Sequence, residues 1–180
     1  MSIITLSRLA GSGAEQIVER VCHELGFKAV DKEMIGEAVA AYGFQFASLE
    51  KYDETKPSFW DFISRERYKF FHAVQIAICE LARDGNVIII GRGGFMLLKE
   101  IPTVLRVRII APFEFRVQNM ARPGKSREEI ENALRNRDKE GERFLRHHYQ
   151  ADWNDPLLYD IVINTEKTTA DRAARIIIEA

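Results

Sequence analysis

The spacing of apolar positions changes repeatedly along this chain, and each change marks an element. Ile3-Ile4-Thr5-Leu6 is a short, nearly continuous apolar run, the pattern of a strand buried on both faces. Gly11-Ser12-Gly13 interrupts it. From Ala14 the spacing becomes helical, with Ile17, Val18, Val21, Cys22 and Leu25 on one side and Gly26 as the stop. Phe27-Lys28-Ala29-Val30 predicts a small parallel strand, and the next helix carries Met34, Ile35, Ala38 and Val39. Residues 42–57 read as irregular, punctuated by Gly43 and Pro57. Ser58 to Arg83 predicts a long, phenylalanine-rich helix ending at the turn Asp84-Gly85-Asn86.

Val87-Ile88-Ile89-Ile90 has the unbroken apolar character of a central parallel strand, and Leu105 to Ile110 predicts another. A helix from Phe113 to about Arg122 follows. Ser126-Arg127-Glu128-Glu129 is a capping box that opens a long charged helix. Asp160 to Asn164 is the last strand and Thr168 to Glu179 the last helix. Strands alternate with helices throughout, so the expected class is α/β, one domain over residues 1–180 with five mainly parallel strands.

The totals narrow the function classes. The chain has 180 residues and a formal net charge of −1, so no global basic field argues for nucleic acid. No apolar stretch reaches the length of a membrane span, and the N-terminus lacks a charged region ahead of an apolar one. The two cysteines, Cys22 and Cys79, sit in apolar helical patterns and read as buried free thiols. A reducing, cytoplasmic setting is the expectation.

The candidate chemistry lies beyond the carboxyl ends of the strands, where α/β sheets bind ligands. A strand, a glycine turn and a helix frame a phosphate-binding loop, because glycines let backbone N–H groups converge on an anion and the helix dipole adds to them. The usual G-x-x-x-x-G-K-[ST] pattern is incomplete. Arg8 holds the first-glycine place, and Ala14 and Glu15 hold those of the lysine and the hydroxyl. Ser12 offers a hydroxyl, whereas Glu15 would repel a phosphate brought close. Arg92, flanked by Gly91, Gly93 and Gly94 at a strand end, is placed to grip phosphate through two parallel hydrogen bonds.

Arg135, Arg137, Lys139, Arg143 and Arg146 share one helix, either a clamp for a polyphosphate or a solvated face laced with ion pairs. His147 and His148, being adjacent, make a poor metal pair and read as surface or lid residues. Asp31 either accepts hydrogen bonds from a substrate or acts on its hydroxyl, or is an N-cap, and Asp53-Glu54 lies in an irregular stretch. Phe59, Trp60, Phe62, Tyr68, Phe70 and Phe71 fit core packing better than a base pocket.

Several runs together resemble a known group. They are Ile4-Thr5-Leu6-Ser7-Arg8 with Gly11-Ser12-Gly13, Tyr52-Asp53-Glu54, Ile90-Gly91-Arg92-Gly93, and Leu105-Arg106-Val107 leading to Ala111-Pro112. They continue through Arg137-Asp138-Lys139-Glu140, Tyr149, Asp152-Trp153-Asn154-Asp155-Pro156-Leu157 and Tyr159-Asp160-Ile161-Val162-Ile163-Asn164-Thr165. In this order, over nearly the whole chain, they resemble the cytidylate kinase-like family of P-loop nucleoside monophosphate kinases.

The resemblance implies a three-layer P-loop NTPase fold with helices on both faces of the sheet. It implies an acceptor-binding helical region near residues 31–84 and a mobile helical lid near 123–150. It implies ATP as donor, cytidylate as acceptor, and Mg2+ held mainly through the nucleotide phosphates. Small nucleotides are then the partners, with no nucleic acid, no membrane and the oligomeric state open.

By position, Gly11, Ser12, Gly13, Ala14 and Glu15 would cradle the donor phosphates and Arg116 would lie near the donor base. Asp31, Arg92 and Asp138 would serve the acceptor. Arg8, Arg92, Arg137 and Arg143 would gather around the transferred group, with Arg8 standing in for the missing lysine. Cytidylate kinases carry an aspartate directly after the arginine matched by Arg92, where this chain has Gly93. A catalytically degenerate nucleotide-binding protein and a kinase for another small metabolite are the alternatives.

Overall fold

The computed structural model describes residues 2–44 and 65–180. The Tyr52-Asp53-Glu54 run and Phe59, Trp60 and Phe62 lie outside them. The strands are β1 (Ile3–Arg8), β2 (Lys28–Val30), β3 (Val87–Ile90), β4 (Val104–Ile110) and β5 (Ile161–Asn164). The helices are α1 (Ala14–Leu25), α2 (Lys32–Ala40), α3 (Arg65–Arg83), α4 (Gly94–Leu97), α5 (Phe113–Asn119), α6 (Arg127–Tyr149) and α7 (Ala170–Glu179).

The five strands form one parallel sheet in the order β2-β3-β1-β4-β5. The alternation of strand side chains divides two cores between its faces. Ile3, Val87, Ile89 and Val104 pack with α2 and α3, while Ile4, Leu6, Ile88 and Val107 pack with α1 and α7. Burial on both faces is why these strands read as continuous apolar runs rather than alternating ones.

Helix ends follow the expected chemistry. Gly26 caps α1 in the left-handed region, and Ser126 and Glu129 complete the capping box of α6. Thr169 caps α7 through the Arg172 amide, so that helix opens at Ala170 rather than Thr168. Helix α5 ends at Asn119, short of Arg122.

Two expectations need correction. Cys79 is exposed and Cys22 only half-buried. The buried stripe of α3 runs through Phe70, Ala73, Val74, Ala77 and Ile78, and Cys79 falls off it. Tyr68 falls off the same stripe and is 69% exposed, so it belongs to no core.

Candidate active site

Strand β1 is central, and the loop that follows it is tied from outside. The Ala10 carbonyl accepts from Arg116 Nη1 at 3.3 Å, the Gly11 carbonyl from Asn119 Nδ2 at 3.0 Å, and the Ser12 carbonyl from Thr165 Oγ1 at 2.7 Å. In a trans peptide the next residue's N–H points opposite the carbonyl. Holding the Ala10 and Ser12 carbonyls therefore turns the Gly11 and Gly13 amides away from α5 and Thr165. Gly13 caps α1 without a side-chain hydrogen bond, leaving the first-turn amides to an outside acceptor. Ser12 Oγ is buried and makes no hydrogen bond among the described residues. An orphaned hydroxyl inside a ring of amides fits phosphate oxygens.

Across the cleft, the turn after β3 carries Gly91, Arg92 and Gly93 at φ 74, 54 and 72°. A left-handed arginine costs about 1 kcal/mol, the kind of strain found where a side chain must be aimed. Gly93 has no room for a side chain, because a Cβ there would lie 2.6 Å from Tyr149 Cε2. The tyrosine ending α6 thus fills the space that an aspartate after Arg92 would need.

Arg8 reaches from the β1 terminus toward this turn, its Nη1 2.7 Å from where a Gly91 Cβ would stand. Burial lowers its pKa; Glu15 opposes the shift, while the positive charges of Arg92 and Arg137 add to it. Arg8, Arg92, Arg137 and Arg143 all line one cleft with Gly11, Ser12 and Gly13. Its volume is about 2480 Å³, whereas one small ligand needs roughly 300–1,000 Å³. The cleft has room for a donor and an acceptor together.

Other candidates divide. Glu15 is exposed on the cleft wall. Asp31 lines the cleft as well, and its Oδ1 caps α2 by accepting from the Met34 amide at 2.9 Å. Ala14 is buried in the α1 core. Arg116 is buried behind the loop and gives two hydrogen bonds to Asp138, at 3.0 and 2.8 Å. Arg135 turns out of the helix's cationic row, with its guanidinium 4.2 Å from the Phe113 ring centroid. His148 is no plain surface residue. It stacks on Phe71 at 3.9 Å and 14°, joining α6 to α3.

The joint role of four residues escaped sequence reasoning, although Ser7, Trp153 and Tyr159 stand in the runs that carry the resemblance. Arg108, buried in β4, donates from Nη1 to Ser7 Oγ at 2.8 Å and to Tyr159 OH at 3.3 Å. Its guanidinium lies 4.2 Å from the Trp153 ring centroid. Burial lowers the pKa of Arg108, while Tyr159, Asp138 and Asp152 oppose that shift. Trp153 Nε1 donates to the same Ser7 Oγ at 2.9 Å, and Tyr159 OH to the Trp153 carbonyl at 3.0 Å. The available signal was the spacing of Arg106 and Arg108, which places two cations on one face of an otherwise apolar strand.

Among the described residues no cluster of three acids or metal-binding side chains exists. The donors beside the phosphate loop are the Ser12 hydroxyl and the Glu15 carboxylate, oxygen ligands of the kind magnesium takes when phosphates supply the rest.

Parallel sheet, glycine loop and strand-end arginines together define a P-loop kinase fold. A shikimate kinase from Bacteroides thetaiotaomicron is similar at TM-score 0.60 and 14% identity, over 99% of this chain and 97% of that one. An uncharacterized protein from Eubacterium ventriosum is similar at TM-score 0.77 and 18% identity, over 99% and 97%. The cytidylate kinase of Pyrococcus horikoshii is 31% identical over 167 residues, 92% of this chain and 80% of that one. That of Thermococcus sibiricus is 33% identical over 171 residues, 94% and 82%. The model of the cytidylate kinase-like family matches residues 3–167, and the chain belongs to that family. No helix among the described residues is long and apolar enough to cross a membrane.

Proposed function

We propose that this protein transfers the γ-phosphoryl group of ATP to a nucleoside monophosphate, with cytidylate the preferred acceptor. The observation that carries the reading is that partly buried Arg8 lies beside the charges of Arg92 and Arg137 on the cleft that also holds the glycine loop, with Arg143 on the same cleft's lining. Like charges brought together at a partly buried site are unfavourable alone and favourable around a polyanion. The relatives' names supply the acceptor.

In this reading the Gly11 and Gly13 amides and Ser12 Oγ hold the donor phosphates. Arg8 supplies the charge that the Walker lysine would supply. Arg92 holds the acceptor phosphate from the opposite wall, and Arg137 and Arg143 close over the group in flight. Little covalent help is needed for phosphoryl transfer, so positioned charge carries most of the rate. Magnesium, when bound, neutralises charge on the phosphates, with Ser12 and Glu15 as the protein oxygens within its neighbourhood.

Glu15 favours a second reading, nucleotide binding without transfer, because a carboxylate in the first turn of α1 repels an unscreened phosphate chain. A coupled ADP-release assay with ATP, magnesium and a panel of nucleoside monophosphates separates the two. Turnover that requires a pyrimidine monophosphate and collapses in Arg92→Ala supports the kinase and its acceptor. ATP binding without turnover on any acceptor supports the second reading. Turnover on a small hydroxylated acid instead would replace cytidylate as the acceptor.

A further inference from the structure

Trp153 stands where the sheet meets the charged helix. Its indole N–H is held by Ser7 on β1, its carbonyl by Tyr159, and one face of its ring by the buried Arg108 of β4. On its far edge is Gly141 of α6. A Cβ at Gly141 would lie 2.4 Å from Cζ3 and 2.5 Å from Cη2 of the indole, closer than any real contact. The ring is therefore a fixed spacer between the strand tips and the middle of α6.

Arg137 lies four residues before Gly141, one turn away on the same helix face. It lines the cleft with Ser7 and Trp153. The spacer is itself well anchored. Arg108 is buried with hydroxyl, phenol and ring-face partners, and its Nη2 makes no hydrogen bond among the described residues. A charge kept in so dry a place, at the expense of stability, calls for a return elsewhere in the molecule.

We infer that Trp153, wedged against Gly141 and backed by Arg108, is a positioning residue that sets the height of Arg137 above the phosphate loop. This inference rests on the kinase reading for its catalytic consequence. The indole cannot retreat, so a methyl at position 141 displaces the helix instead. Misplacement of a catalytic group by about 1 Å can lower the rate by about 10²-fold.

The test is a double-mutant cycle of Gly141→Ala and Arg137→Ala, read on kcat, with thermal melts showing each variant folded. Gly141→Ala is expected to lower kcat at least about tenfold, as misplacement of a positioned group does. The double variant should fall within about twofold of Arg137→Ala, since a spacer acting through Arg137 has nothing left to position. Multiplying effects, or a folded Gly141→Ala with parental kcat, overturn the inference. Should Gly141→Ala fail to fold, Trp153→Phe, which keeps a ring but loses the Ser7 hydrogen bond, takes its place in the cycle under the same criteria.

If the parent binds ATP yet transfers nothing, the kinase reading falls alone. The cycle is then read on the ATP dissociation constant, where non-additivity supports the positioning role and additivity overturns it. A parent that neither transfers phosphate nor binds ATP overturns both.

Discussion

Arg116 of α5 and Asp138 of α6 face each other through two parallel hydrogen bonds, with the guanidinium almost fully buried. The same guanidinium touches the Ala10 carbonyl. The pair joins the phosphate loop to the middle of the charged helix, and the Arg116 Nε is left without a hydrogen bond among the described residues. Removing one partner of such a pair strands the other, at a cost of about 3 kcal/mol. Asp138→Ala is expected to lose that much in urea denaturation while leaving the acceptor KM little changed. A raised acceptor KM at undiminished stability would instead support Asp138, which also lines the cleft, as an acceptor-site residue.

Arg8 should show the opposite balance. Its charge is partly buried beside those of Arg92 and Arg137. Arg8→Met removes that repulsion, so the apo protein should melt higher, while kcat falls by about 10²–10³-fold. Arg8→Lys keeps the charge without the planar fork and should recover only part of the rate. Calorimetry with and without ATP checks both halves, because ATP should raise the parent's melting temperature more than the variant's.

Position 93 tests the packing of Tyr149 directly. Gly93→Asp meets the Tyr149 ring and a left-handed backbone together. It should destabilise by about 2–4 kcal/mol, overpacking and the φ penalty combined. Tyr149→Ala in the same chain should recover the steric part alone, leaving about 1 kcal/mol from the backbone. Full additivity in denaturant melts would mean that the ring is not what excludes the side chain.

Acid should weaken the edge of the sheet. Asp160 accepts from the Arg106 amide, Nε and Nη2 at 2.8, 3.0 and 2.6 Å, which holds its carboxyl below the usual aspartate range. A folded pKa below the unfolded one gives stability that is whole above about pH 4 and is lost as pH falls through the folded value. The carboxylate is more than a third exposed, so solvent screening limits the contribution to about 1 kcal/mol. Asp160→Asn should be less stable than the parent by that amount at pH 7. The two should converge near the acid end of a pH series of chemical melts.

Much of this was legible because it is local. The β1 strand, the glycine turn and α1 follow one another within a single apolar pattern, and the capping box at Ser126 closes within four residues. Arg8 and Arg92 were legible for a related reason, since strand ends and glycine neighbours announce them, whereas Arg137 and Arg143 stood out from the other cations of their charged helix only through the family resemblance. Arg108 and Trp153 were not. Arg108 meets Ser7 across 101 residues and Trp153 meets it across 146. A charged residue in a strand ordinarily signals an exposed face, and only the tertiary fold buries this one. Cys79 failed in the other direction, where an apolar neighbourhood in sequence concealed a position just off the buried stripe.

The three tied carbonyls of the phosphate loop carry a consequence for its motions. Because α5 and the turn after β5 hold them, the loop gave up its conformational entropy when the chain folded and has little left to lose on meeting an anion. It works as a fixed electrode rather than a closing hand. The Gly11 and Gly13 amides should therefore show backbone order parameters as high as those of β1 and α1 in the ligand-free protein, and change little when an anion binds.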